Sequence, residues 1–187
     1  MFVYEDNLRY EWIYKEDFIK LFKEEGFDVS VASKEEEKNG IDLFLKKNGT
    51  KKSVQLKLMK PRSWKHKGTL YIEMINTARP SGKGWFFEYK NLDLLIFGWT
   101  YVKQFYNKTR KIYKFNLYNY KQFRLTLKKL IKNYEFKKNV HYQSRYGKKT
   151  YTKGILVPDN LIPGIKCVYV IDIYKDKTKK IANFIKL

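Results

Sequence analysis

Residues 40–59 read GIDLFLKKNGTKKSVQLKLM, two apolar stretches separated by Asn48-Gly49. That dipeptide readily takes the two successive positive-φ conformations of a tight hairpin turn. The spacing predicts a strand over Ile41–Leu45 paired with a second over Ser53–Met59. In the second strand Val54, Leu56 and Leu58 alternate with Gln55, Lys57 and Met59, so one face enters a core and the other carries two polar side chains next to each other. Asp42 stands among apolar neighbours at the start of the first strand.

On the N-terminal side, Tyr10, Ile13, Tyr14, Phe18, Leu21 and Phe22 recur at three- and four-residue spacing, which predicts an amphipathic helix from Asp6 to Glu25, stopped by Gly26. A short strand, Phe27–Val31, follows, then the acidic patch Glu35–Glu37 and a turn at Asn39-Gly40. On the other side come a basic loop over 60–67, a third strand over Leu70–Ile75, a glycine-rich connection over 76–84, and an apolar strand, Leu92–Phe97, buried on both faces. Beyond residue 100 the pattern predicts a strand over Lys111–Leu117 and a basic helix over Tyr120–Asn133. Then come a weakly patterned basic stretch over 134–153, short strands at Gly154–Pro158 and Cys167–Ile173, and a closing segment, Ile181–Leu187. This order predicts an α/β (α+β) fold with a mixed central sheet flanked by helices. One domain over 1–187 is expected, with a core in 1–100 and a basic C-terminal extension in 101–187.

Composition bounds the function. The chain has 187 residues, 43% of them hydrophobic, so a core is affordable and two large domains are excluded. No apolar run approaches the roughly 20 residues of a membrane-spanning helix. Cys167 is the single cysteine, so an intrachain disulfide is excluded and a reducing, intracellular setting is expected, cytoplasmic or nucleoid-associated, of viral or mobile-element origin included. The net charge is +21, with 40 basic against 19 acidic residues. Of that charge, +3 falls in residues 1–100 and +18 in 101–187. An AT-rich coding sequence accounts for the abundance of Lys over Arg but not for the shortage of acids. A polyanionic partner, most simply nucleic acid, is therefore expected. His66 and His141 are isolated and offer no zinc spacing, and no Walker phosphate loop is present.

The hairpin carries the chemistry. Asp42, the Gln55 side-chain oxygen and the Leu56 backbone carbonyl are hard oxygen donors suited to Mg²⁺, and Lys57 can hold or deprotonate an attacking water and offset phosphate charge. The competing reading makes Asp42 the end of a turn and Gln55 and Lys57 a solvated strand face. The pattern of Asp42, twelve residues, then Gln55-x-Lys57, on consecutive strands after a helix ending in EEGFDV, resembles the PD-(D/E)XK nuclease superfamily, in the variant with Gln in place of the usual acid. The resemblance covers roughly residues 6–100. It implies a restriction-endonuclease-like α-β-β-β-α-β core, a divalent metal (Mg²⁺, with Mn²⁺ able to substitute) and DNA cleavage. It also implies a further acid from the first helix. The helical wheel favours Glu11, which stands close to the Phe18 direction, over Glu16, although an acid in a first turn is also favoured by the helix dipole.

Glu73, on the polar face of the third strand, is a second candidate metal ligand, or else a carboxylate ion-paired among lysines. Arg79 and Lys83, in the glycine-rich connection, are candidate phosphate contacts, or part of an ordinary connection plugged by Trp85. Arg145, Lys148 and Lys149, interleaved with Tyr142, Tyr146 and Tyr151, suit a nucleic-acid backbone, or else the tyrosines belong to the core. The expected activity is a Mg²⁺-dependent deoxyribonuclease, structure-directed like a junction resolvase, with a homodimer convenient for cutting two strands. A site-specific restriction or homing endonuclease is the alternative within that class. A non-catalytic nucleic-acid-binding protein is the alternative outside it.

Overall fold

In the computed structural model, residues 3–59, 68–105, 108–145, 148–172 and 178–181 are described. Helix α1 (Val3–Glu24) presents Tyr14, Phe18, Leu21 and Phe22 on one side, all buried. It ends where Gly26 takes φ +79°, with Gly26 N donating to Lys23 O at 3.0 Å and Phe27 N to Phe22 O at 3.0 Å, a paired closure that satisfies the last helical carbonyls. Strand β1 (Asp28–Val31) follows. The acidic patch then forms a short helix, α2 (Lys34–Lys38), where the sequence suggested only a patch before a turn. The reason is a reciprocal cap: Ser33 Oγ accepts Glu36 N at 3.3 Å, and Glu36 Oε2 accepts Ser33 N at 2.7 Å.

Strands β2 (Leu43–Lys47) and β3 (Thr50–Met59) form the expected hairpin, with Asn48 at φ 51° and Gly49 at φ 78° in the turn. Strand β4 (Thr69–Asn76) and the short helix α3 (Trp85–Glu88) lead to β5 (Leu94–Phe105) and β6 (Lys108–Asn119). Helix α4 (Tyr120–Asn133) is capped by Asn119, whose side chain accepts Gln122 N at 3.1 Å. Strands β7 (Lys138–Arg145), β8 (Lys148–Pro158), β9 (Ile165–Asp172) and β10 (Thr178–Ile181) complete the order, with a 3₁₀ turn at Asp159–Leu161 between β8 and β9.

The result is a mixed α/β fold. Seven strands form one sheet in the order β1-β2-β3-β5-β6-β9-β10, antiparallel throughout except for the parallel β3–β5 pair. Three strands form a second, antiparallel sheet, β4-β8-β7. The third strand of the sequence reading therefore leaves the hairpin's sheet. The weakly patterned stretch after Tyr134 is the β7–β8 hairpin with lysines at many of its positions. Of the closing segment, Ile181 ends β10 and residues 182–187 lie outside the described set.

The large sheet is covered on both faces. On one, Phe18 and Leu21 of α1 pack on Leu43, Val54, Leu56 and Ile96. On the other, Trp85 and Phe86 of α3 and Phe123 and Leu127 of α4 join Leu70, Ile72, Leu95 and Phe97. Phe18→Ala and Phe123→Ala, one in each core, are each expected to cost about 3–5 kcal/mol. Urea titration should show a single transition for each variant, coincident by fluorescence and far-UV circular dichroism, because β3 and β5 contribute alternate side chains to both cores.

Candidate active site

Asp42 sits just ahead of β2, held by its backbone on two sides. Its N–H donates to Val54 O at 2.8 Å and its carbonyl accepts Ala32 N at 3.2 Å. Leu43 pairs with Val54, and the Asp42 N–H reaches the same Val54 carbonyl, so the regular ladder ends at Leu43 and Asp42 lies just outside it. Its carboxylate takes the place of the missing ladder: Oδ2 accepts Leu56 N at 2.7 Å. A strand residue's N–H and C=O point to the same edge, so the Leu56 carbonyl is directed to the edge where the carboxylate lies.

Gln55 and Lys57 face the second core, across β5 from Leu95 and Phe97, while Val54 and Leu56 face α1. Gln55 is only 2% exposed, and its Oε1 is buried with no hydrogen-bond donor among the described residues. That excludes a solvated strand face at Gln55. A buried amide oxygen without a donor is uncommon and calls for a partner. Lys57 is half-buried beside it.

Two residues join that the sequence reading missed. Lys15 of α1, 8% exposed, places Nζ 2.6 Å from Glu37 Oε1 and 3.9 Å from Asp42 Oδ1. Glu37 comes from α2. The signal for Lys15 was its place one residue after Tyr14, bordering the apolar stripe. Glu37 was hidden because the capped turn of α2 went unread.

Burial pushes the Asp42 carboxyl above its ordinary value, and nearby Glu37 adds to the rise. The Lys57 charge, the Leu56 N–H bond and Lys15 pull it back, in that order of strength. The carboxylate is thus held with too little positive charge to compensate its desolvation. The Asp42 carboxylate and the Leu56 carbonyl lie at one edge, and the Gln55 amide oxygen stands on the adjacent residue of β3; all three are oxygen donors of the kind a hard divalent cation takes. No group of three His, Cys, Asp or Glu side chains suited to a metal exists among the described residues; this set draws instead on an amide and a main-chain oxygen.

The other candidates are placed as follows. Glu73 Oε1 accepts Asn76 Nδ2 at 3.1 Å and Trp85 N at 3.3 Å and lies 3.9 Å from Arg79 Nε. Among the described residues no hydrogen bond or ion pair joins it to Asp42, Gln55 or Lys57, because β4 belongs to the other sheet. Arg79 is held by Glu73, by Glu88, and by Tyr89, whose hydroxyl is 2.7 Å from Nη2 and whose ring lies 4.9 Å from the guanidinium carbon. The same Tyr89 ring lies against Gly40: a Cβ there would come within 2.3 Å of it, and φ is +86°. Lys83 is exposed. Glu11 stands on α1 one turn before Lys15, and Arg145, Lys148 and Lys149 stand at the turn end of the β7–β8 hairpin; their side chains lie outside the described residues, as do those of Tyr142 and Tyr146. Tyr151 is exposed on β8.

No family model, curated protein or solved structure matches this chain. No helix among the described residues is long and apolar enough to cross a membrane.

The pH dependence of stability reports on this site. Since folding raises the Asp42 proton affinity, the folded chain binds more protons than the unfolded one between the ordinary carboxylate value and the raised one. Stability therefore falls as pH rises through that window, and above it the ionised carboxylate is a net cost. Asp42→Asn keeps an acceptor for Leu56 N–H and removes the charge. It should melt at a higher temperature than the parent at neutral pH, and the gain should fade below the ordinary value of 3.8, as thermal unfolding across pH would show.

Proposed function

We propose that this protein is a metal-dependent DNA endonuclease with a restriction-endonuclease-like core. The observation that carries the reading is the half-buried Asp42 carboxylate, raised in proton affinity and bonded to Leu56 N–H, with the charge of Lys57 near it and the buried Gln55 amide on the residue before Leu56. The order α1, the β1-β2-β3 meander, α3, then β5 parallel to β3 supports the same reading.

Asp42, Gln55 and the Leu56 carbonyl would hold Mg²⁺ or Mn²⁺. Bound there, the ion would activate water and offset the charge that grows on a phosphodiester. Lys57 orients the attacking water and lends positive charge to the phosphate oxygens. Lys15 steadies the Asp42 carboxylate from the opposite side, and its ion pair with Glu37 fixes its own position. The net charge of +21 draws the substrate. The substrate class proposed is a structured, junction-like DNA, and a homodimer suits paired cuts. A non-catalytic nucleic-acid-binding protein is the second reading. The neutral amide at Gln55 favours it, because Asp42 is then the site's one carboxylate ligand unless Glu11 joins it.

The test combines plasmid and branched DNA with Mg²⁺, Mn²⁺ or EDTA. Metal-dependent cutting is expected, reduced about 10²-fold or more in Asp42→Ala and Lys57→Ala, the range typical for loss of a positioned catalytic group. Gln55→Glu should tighten the dependence on Mg²⁺ without abolishing cutting. Cutting that persists unchanged in both alanine variants overturns the site, and tight binding with no cutting under any metal favours the second reading.

A further inference from the structure

A second site opens where β3 and β5 begin and α4 starts. A cleft of about 470 Å³ there is lined by Lys52, Lys90, Lys121, Arg124 and Lys128, with Asp93 the one acid on its wall. Asp93 is already engaged: its Oδ2 accepts Ser53 N at 2.7 Å and the Ser53 hydroxyl at 2.8 Å. Arg124 is braced between aromatic rings, its guanidinium carbon 5.7 Å from the Phe86 centroid and 5.8 Å from that of Tyr120. Its Nε is buried with no acceptor among the described residues. Five cations converge on a concave surface with one occupied carboxylate to balance them. Such a surface is costly when empty and favours an anion.

The spacing says which anion. Lys121, Arg124 and Lys128 follow three- and four-residue steps on α4 and so share one helical face. Seven residues of helix span about 10 Å. Successive phosphates of one strand stand further apart along the backbone than the axial rise of about 3.4 Å per nucleotide, so this row spans at least two neighbouring phosphates and is too long for a single phosphate group. The geometry points to this cleft as a cradle for one strand's phosphodiester backbone in a DNA duplex. Lys52 stands three residues before Gln55 on β3, about 10 Å along the strand, so a duplex held here extends toward Asp42. Lys121, Arg124 and Lys128 belong to the helix read as basic from the sequence, whereas Lys52 and Lys90 were not singled out. The assignment rests on the DNA-binding part of the reading above and not on its cleavage chemistry.

The experiment measures binding of a fluorescein-labelled 20-bp duplex in EDTA against salt. One variant carries Lys90→Gln, Lys121→Gln and Lys128→Gln. A control with the same charge loss carries Lys23→Gln, Lys34→Gln and Lys38→Gln, all exposed elsewhere. The cleft variant should bind at least about tenfold more weakly at 0.1 M salt, with a log–log salt slope shallower by about 2.7, one unit of 0.9 for each lost phosphate contact. The control should stay close to the parent in slope. Equal losses in both variants, or no loss in the cleft variant, overturn the cradle. So does saturable binding of inorganic phosphate or ATP to the cleft that duplex fails to displace. Lysine acetylation of the parent protein gives a second readout that needs no variant: duplex should protect Lys52, Lys90, Lys121 and Lys128, and their unchanged labelling would equally overturn it. Intact cleft binding by the parent protein with no cutting in Mg²⁺ or Mn²⁺ counts against the nuclease chemistry alone.

Discussion

Antiparallel neighbours can be joined by a tight turn, but β3 and β5 run in the same direction, so the chain must leave the end of β3, cross a face of the sheet and return. The crossover is what brings β4 and α3 over the second face, where Leu70, Ile72, Trp85 and Phe86 meet Leu95 and Phe97. Helix α1 had already covered the first face with Phe18 and Leu21. With both faces closed, the middle of β3 is enclosed on the side away from α1, where Ser53 and Gln55 are buried. Gln55 is buried for that reason, and the amide that looks like surface polarity in one dimension becomes an interior oxygen in three.

Asp42 answers a second consequence of the same arrangement. Strand β2 begins at Leu43, so the Leu56 N–H on β3 lies beyond the reach of its ladder. The carboxylate supplies the acceptor that a backbone carbonyl would otherwise provide. It does so at a cost, because burial raises its proton affinity against the pull of Lys57 and Lys15. The orphaned Gln55 oxygen adds a desolvation cost of about 1–3 kcal/mol. A sheet selected for stability alone would carry an apolar pair in these two positions. Local costs concentrated on two adjoining strands are the pattern expected where function competes with folding.

Elements governed by local chemistry were legible. The Asn48-Gly49 turn, the apolar stripe of α1 with its Gly26 stop, and the full extent of α4 follow from patterns within a few residues. The strand faces of β3 were legible too, because Val54, Leu56 and Leu58 alternate cleanly. What went unread depended on partners far along the chain. Nothing in Leu70–Ile75 tells whether the strand pairs with β3 or, as found, with β8 about eighty residues later. That choice moved Glu73 from a neighbour of Asp42 to an anchor for Arg79 and Trp85. The β7–β8 hairpin escaped notice because exposed lysines mask a two-residue period. Lys15 was overlooked because a lysine beside an apolar stripe reads as solvated until a buried acid is found opposite it.

The distribution of charge changes meaning once the strands are in place. Along the chain, residues 101–187 hold +18 and look like a basic appendage to an almost neutral core. In space, β6, β9 and β10 continue the same sheet as β3, and α4 packs on its second face. Lys121 and Lys128 from the basic half therefore meet Lys52 and Lys90 from the other half in one cleft. The positive field is therefore concentrated at the start of β3, where these cations line one concave wall, and not on a detached tail. The gradient then runs along β3, from a cationic end toward the half-buried carboxylate of Asp42. Under the cradle proposed above, a phosphate chain anchored at the first would lie within about three strand residues of the second.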